Sequence, residues 1–267
     1  MKSLRTLAAI AGLCAGLASL SPLSARAADA EAGAAPDLSS SLMAPARPRG
    51  LTRVYGNVRP FFNLMGAGGG AIGELAVDHY FQFPLKVGIE MSPTAVAFQP
   101  RSSGAVTHLR VEAAFATDHL EVGAAIGGRM ENFGPGGISL AGRLRLGSLD
   151  GLNLRLTYGY AVIRNRYTGK TRVAFSNVVT TIEVPILPRL AIVLDGGFSF
   201  DVWLYGTLGL KHALVGRGGP GSWSVRAAFG LAWVLDQFPC QYRDPARCEG
   251  AAWGMGPTIA FGVEHRF

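Results

Sequence analysis

What the chain has little of narrows its class first. Charged residues make up only 16% of its 267 positions, where a soluble globular domain carries about a quarter. A chain so short of charge is expected to have an outer surface that does not face water. Beyond the N-terminal segment it also lacks any uninterrupted apolar run of the ~18 residues a membrane helix needs. The nearest candidate, Leu190 to Leu210, is broken by Asp195, Gly196, Gly197 and Asp201. Helical spans are thereby excluded. A membrane location then requires strands closed into a barrel, because lipid leaves open backbone hydrogen bonds unsatisfied.

Constellations for metal or nucleotide chemistry are missing as well. The run Gly66-Ala67-Gly68-Gly69-Gly70 has no following Lys and no helix, so it reads as an outer-loop turn and not a phosphate cradle. Cysteine is scarce, with three residues in all. Cys240 and Cys248 have no His beside them, and in an exported chain the pair reads as a loop disulfide. The pI near 9.7 raises nucleic acid as a partner, but no basic run or aromatic-interleaved basic motif supports it. Neither a cofactor nor a metal is expected.

What is present begins with a targeting segment. Lys2 and Arg5 form a charged start, Leu7 to Leu20 an apolar core, and Ala25-Arg26-Ala27 a small-x-small cleavage pattern. Residues 1–27 are therefore expected to be a signal peptide cut after Ala27, which takes Cys14 with it. Its loss lowers the formal charge from +7 to +4. Residues 28–50, rich in Ala, Pro and Ser, read as a flexible periplasmic leader.

From residue 51 to residue 267 a two-residue period dominates. In Leu152 to Val162 every even position is apolar and every odd one polar or small, so the two sets fall on opposite faces of a strand. The same split recurs at 120–127, 138–146, 202–211 and 258–264. Strands are expected near 52–64, 70–80, 84–97, 105–117, 119–131, 137–148, 151–164, 172–184, 189–199, 201–213, 222–235 and 253–267. The phase is muddy over 172–184 and the link at Ser199–Asp201 is very tight, so a ten-strand count stands as an alternative to twelve. Short connections mostly follow even strands and longer ones odd strands, matching periplasmic turns and outer loops. Trp223 and Trp233 share one face. At ~3.3 Å per residue and a 45° tilt they lie ~24 Å apart along the membrane normal, close to the height of an apolar band edged by aromatics.

The terminal Gly262-Val263-Glu264-His265-Arg266-Phe267 resembles the last strand of bacterial outer-membrane β-barrels, which ends in Phe. His265 stands where such strands usually carry a hydrophobe. The resemblance implies an all-β, antiparallel, up-and-down transmembrane barrel in the outer membrane, delivered by the barrel-assembly machinery through Phe267. A monomer is the favoured state. Alternation alone fits a soluble sandwich or lipocalin-like barrel equally well. The leader, the tryptophan spacing, the terminal Phe and the low charge are what favour lipid.

Under this phase nearly all strand charge falls on one face, as a polar lumen demands, since one Arg on the lipid side costs ~2–4 kcal/mol at midplane. The expected pore-lining bases are Arg110, Arg129, Arg143, Arg145, Arg155 and Arg226. The acids are Glu74, Asp78, Glu90, Glu112 and Glu121. A tight turn at 148–151 is expected to set Arg143 opposite Arg155. A basic wall on strands 4–7 then faces an acidic patch on strands 2–3 across a transverse field. A passive pore for small solutes, with anions as the favoured class, is the leading functional reading. A salt-bridged, non-conducting structural barrel is the second, and a surface-binding barrel using the 236–252 loop is a variant of it. Lipid hydrolysis is the third: only His108 lies near the outer rim, with Ser102 and Ser103 before it and Glu112 on its face. No lipase signature accompanies it, so no enzyme is expected.

Overall fold

Valine, leucine and isoleucine alternate with small or charged residues along this chain, a pattern that suits extended backbone with two unlike faces. In a computed structural model, residues 50–62, 64, 68–98, 102–131, 136–164, 171–199, 203–216, 219–236 and 252–267 are described. They form twelve strands: β1 (Leu51–Phe62), β2 (Gly68–Tyr80), β3 (Leu85–Phe98), β4 (Ser102–Ala116), β5 (Leu120–Glu131), β6 (Gly137–Gly147), β7 (Asn153–Arg164), β8 (Thr171–Leu187), β9 (Leu190–Ser199), β10 (Trp203–Val215), β11 (Trp223–Asp236) and β12 (Ala252–Arg266). Each pairs antiparallel with its sequence neighbours, and β12 pairs with β1 to close the barrel. The ten-strand alternative falls. The expected signal peptide, nearly all of the leader, and Cys240 and Cys248 lie outside the described residues.

Two departures from the expected strands have one cause. Between β7 and β8 the register jumps so that Gly159 faces Asn177 while Tyr160 faces Phe175, leaving Ser176 as an extra residue. A bulge of this kind reverses the two-residue phase, which is why the sequence looked muddy there. A second shift near Pro185 carries β8 on to Leu187. The turn expected at Pro185–Pro188 therefore contracts to residues 188–189.

Connections after even-numbered strands (81–84, 117–119, 148–152, 188–189 and 216–222) gather at one end, called lower here, where β1 begins and β12 finishes. At the 148–152 turn Gly147 has φ +94°, and a Cβ there would lie 2.0 Å from the Leu152 carbonyl oxygen. Only glycine accepts that backbone and that approach. The closing seam is held at its foot by Phe267 N donating to Thr52 O at 2.8 Å.

The outer face is apolar. Ile89, Val111, Ile126, Leu208, Phe229 and Phe261 are all exposed there. Val225 points out while the neighbouring Arg226 points in. The barrel is thus inverted relative to one built for water. Trp223 and Trp233 both lie on the outward phase of β11 and are half-buried. At the lower rim Trp223 stacks on His265, with ring centroids 4.0 Å apart, and His265 meets Phe267 edge-on at 4.2 Å. The histidine that replaces the usual hydrophobe is thereby part of an aromatic collar, the kind of residue favoured where hydrocarbon gives way to water.

Candidate functional site

Every charged position expected to line the lumen points inward. Arg110, Arg129, Arg145, Asp78, Glu90, Glu112 and Glu121 are buried, and Arg143, Arg155, Arg226 and Glu74 partly so. Burial here means enclosure within the barrel, where unpaired charge is costly.

The charges pair in a regular way. Seven inward carboxylates each hold two cations. Asp78 is 3.2 Å from Arg53 and 3.6 Å from Lys86. Glu121 is 2.6 Å from Lys86 and 3.3 Å from Arg145. Glu112 lies 2.7 Å from Lys86 and 2.9 Å from Arg143. Glu90 bridges Arg110 (3.5 Å) and Arg143, while Asp195 bridges Arg59 and Arg226. Glu183 holds Arg155 and Lys211 (3.3 Å), and Glu264 holds Lys211 (3.1 Å) and Arg266 (2.7 Å). The eighth, Glu74, accepts from the Tyr55 hydroxyl at 3.0 Å.

This lattice corrects two expectations. Arg145, not Arg143, sits opposite Arg155, because Gly147 faces Asn153 across a five-residue turn; Arg143 faces Thr157. The expected basic wall and acidic patch also do not segregate. Arg143 on β6 faces Gly123 on β5, and Glu112 on β4 faces Ala125 on β5. The small β5 residues Gly123 and Ala125 give the Arg143 guanidinium a path to acids on β4 and β3. Like charges do stand side by side at Arg53/Arg266, Arg145/Arg155 and Lys211/Arg226. Each member leans to a different carboxylate, which offsets the repulsion of a like-charged cross-strand pair.

Two apolar clusters bracket the lattice. Above it Phe61, Ile72, Val106, Tyr205 and Ala232, with Val179 against them, meet inside the barrel. They come from β1, β2, β4, β10, β11 and β8, so they close the lumen from several sides. Arg59 links this cluster to the lattice, its guanidinium carbon 4.7 Å from the Tyr205 ring centre. Below the lattice Leu149 of the 148–152 turn packs with Leu51, Tyr80 and Ala116. Arg266 reaches across the mouth to Asp150 at 2.7 Å. Arg145 donates to the carbonyls of Thr117 (2.9 Å), Asp118 (3.2 Å) and Gly147. The turn is thus strapped over the lower mouth. None of the apolar closing residues was singled out from sequence. The available signal was phase: Phe61 follows Arg53, Tyr55, Asn57 and Arg59 at steps of two, so it had to face inward.

Between the clusters lie two cavities of about 110 and 90 Å³. Arg143, Arg59 and Glu74 border both. His108 borders the upper one, but its hydrogen-bond partner is Ser139, with Nδ1 to Oγ 2.8 Å. Ser139 Oγ also accepts from Arg110 Nε at 2.8 Å and is fully buried. The pair therefore positions side chains and presents no reachable nucleophile. Among the described residues no group of His, Cys, Asp and Glu could hold a metal ion.

No protein-family model matches this chain, and no curated protein matches it. Solved structures do. A CymD monoaromatic hydrocarbon channel is similar at TM-score 0.43 and 9% identity, over 82% of this chain and 89% of that one. Neisserial surface protein A matches at TM-score 0.26 and 10% identity, over 81% and 96%. Salmonella typhi OmpF in complex with daunomycin matches at 0.29 and 10%, over 81% and 97%. The chain's own fold is a closed, twelve-stranded antiparallel β-barrel with an apolar outer face. At these scores what the neighbours carry says nothing of this lumen, whose properties follow from its own residues.

Proposed function

We propose that the chain spans the outer membrane of a bacterial envelope as a monomer and provides a narrow passive pathway for small solutes, with anions favoured. The observation that carries this reading is a charged, cavity-bearing lumen inside an apolar wall. Eleven cations against eight carboxylates occupy inward strand positions among the described side chains, and an excess of one sign raises the local concentration of the other. The pathway is gated and not permanently open, because an apolar cluster stands at each end of the lattice and apolar constrictions close by dewetting. In this reading Phe267 addresses the chain to the barrel-assembly machinery, Cys240 and Cys248 staple an outer loop, and the mature chain starts at Ala28.

The test is single-channel recording in planar bilayers, with reversal potentials measured under a salt gradient. Small, flickering, anion-selective currents are expected. The second reading, a non-conducting structural barrel, is favoured by the strap of Leu149 and Asp150 over the lower mouth. Silence of both wild type and a Leu149→Gly, Asp150→Ala variant would select it. Intact mass of envelope-extracted protein checks the start at Ala28, and its change on reduction and alkylation checks the disulfide.

A further inference from the structure

Like the lower cavity, the upper one is bordered by twice as many cations as carboxylates, and here every cation is an arginine. Arg59, Arg110, Arg129 and Arg143 border it, against two carboxylates, Glu74 and Glu90. Glu90 is already shared by Arg110 and Arg143 and accepts from the Ser92 hydroxyl as well. Arg59 shares its acid, Asp195, with Arg226, and Asp195 accepts from Thr181 too. Four guanidiniums thus border a space that holds two carboxylates, one of which, Glu90, is shared by Arg110 and Arg143. Ser92, Thr94, Thr157 and Asn177 add polar side chains to the same wall. The volume of about 90 Å³ holds about three waters, the bulk of a small tetrahedral or planar oxyanion.

We propose that this cavity is a binding site for a small inorganic oxyanion, held between Arg59, Arg110 and Arg143. Guanidinium forks match the geometry of such an ion, and charge-assisted hydrogen bonds in an enclosed space are among the stronger polar contacts. Ile72, Val106, Val179 and Tyr205 border the cavity on the side of the upper apolar cluster, and their low polarity strengthens the electrostatic attraction below them. The proposal rests on the lumen being hydrated and reachable, as in the pathway reading above; it adds a saturable station within that path.

Inorganic phosphate is the probe, titrated calorimetrically into the full refolded barrel in detergent, with heat-dependent gel mobility reporting the folded state. One phosphate per barrel is expected. Arg143→Gln should weaken it about tenfold, the loss of one charge-assisted contact. Arg155→Gln, which borders only the lower cavity, should leave it unchanged. Should Arg143→Gln fail to fold, Ser92→Leu fills the cavity, keeps every guanidinium, and should abolish binding. Non-saturable heats in folded wild type, equal displacement by chloride, or the same affinity in Arg143→Gln and Ser92→Leu would each overturn the site. The pathway reading fails separately: phosphate that binds to a barrel that never conducts refutes the pore and leaves the site standing. A conducting barrel blind to phosphate does the reverse.

Discussion

Below Arg59 the lumen is crossed by paired charges; above it, by Phe61, Ile72, Val106 and Tyr205. Both bands fill the same barrel and are built from the same inward phase of the strands, yet they resist opening for different reasons. The lower band is held by directional contacts in which seven carboxylates each serve two cations, so losing an acid such as Asp195 strands both of its partners. The upper band is held by non-directional apolar contact, so losing one ring leaves a gap and no stranded charge. Buried ion pairs are weak evidence for stability; what the lower band sets is which cation meets which carboxylate. The upper band decides whether water passes.

The sharpest way to break this comparison is Asp195→Ala. Arg59 and Arg226 lose their shared acid, and breaking a buried pair costs about 3–5 kcal/mol, to be read as a lowered urea midpoint of the barrel in vesicles. A midpoint unchanged from wild type would show that the lattice is solvated and slack. Next comes an inversion of the wall. Leu208→Arg places on the outer face, near the middle of β10, the residue type that occupies nine inward strand positions among the described side chains. A cost of about 2–4 kcal/mol is expected if hydrocarbon is outside; no cost would place water there.

Phe61→Ala should follow, at about 2 kcal/mol for the lost apolar burial. Its larger effect is on traffic: single-channel current should rise, with selectivity retained because no charge has changed. A rise in current with loss of anion preference would mean that the two bands are not separate devices. Smallest is Asp150→Ala. The aspartate side chain is 36% exposed, and pairs of that kind contribute under about 1 kcal/mol. Unfolding should barely move, while open time at the lower mouth lengthens. An unchanged dwell-time distribution would leave the 148–152 turn as a passive lid.

How much of this was legible depends on whether the information is local. Leu152 to Val162 declared their two faces within a single strand, and ten further segments were placed the same way with boundaries a few residues off. Where the pattern failed, at 172–184, an extra residue at Ser176 had flipped the phase. A bulge is a relation between two strands, and one strand alone does not announce it. The expected facing of Arg143 and Arg155 missed by one pair because the turn holds five residues, with Gly147 entering it at φ +94°.

The division of each regular strand into a charged face and an apolar face was determined by sequence, because a side chain's direction on a strand follows from the parity of its position; the choice of twelve strands over ten was made by closure of the barrel. Partnership across the lumen belongs to the tertiary structure. Arg59 and Asp195 stand 136 residues apart, and Arg266 meets Asp150 from the far side of the mouth. Such contacts exist only once twelve strands have closed with a particular stagger, since closure and shear, which no single segment encodes, set which heights face one another.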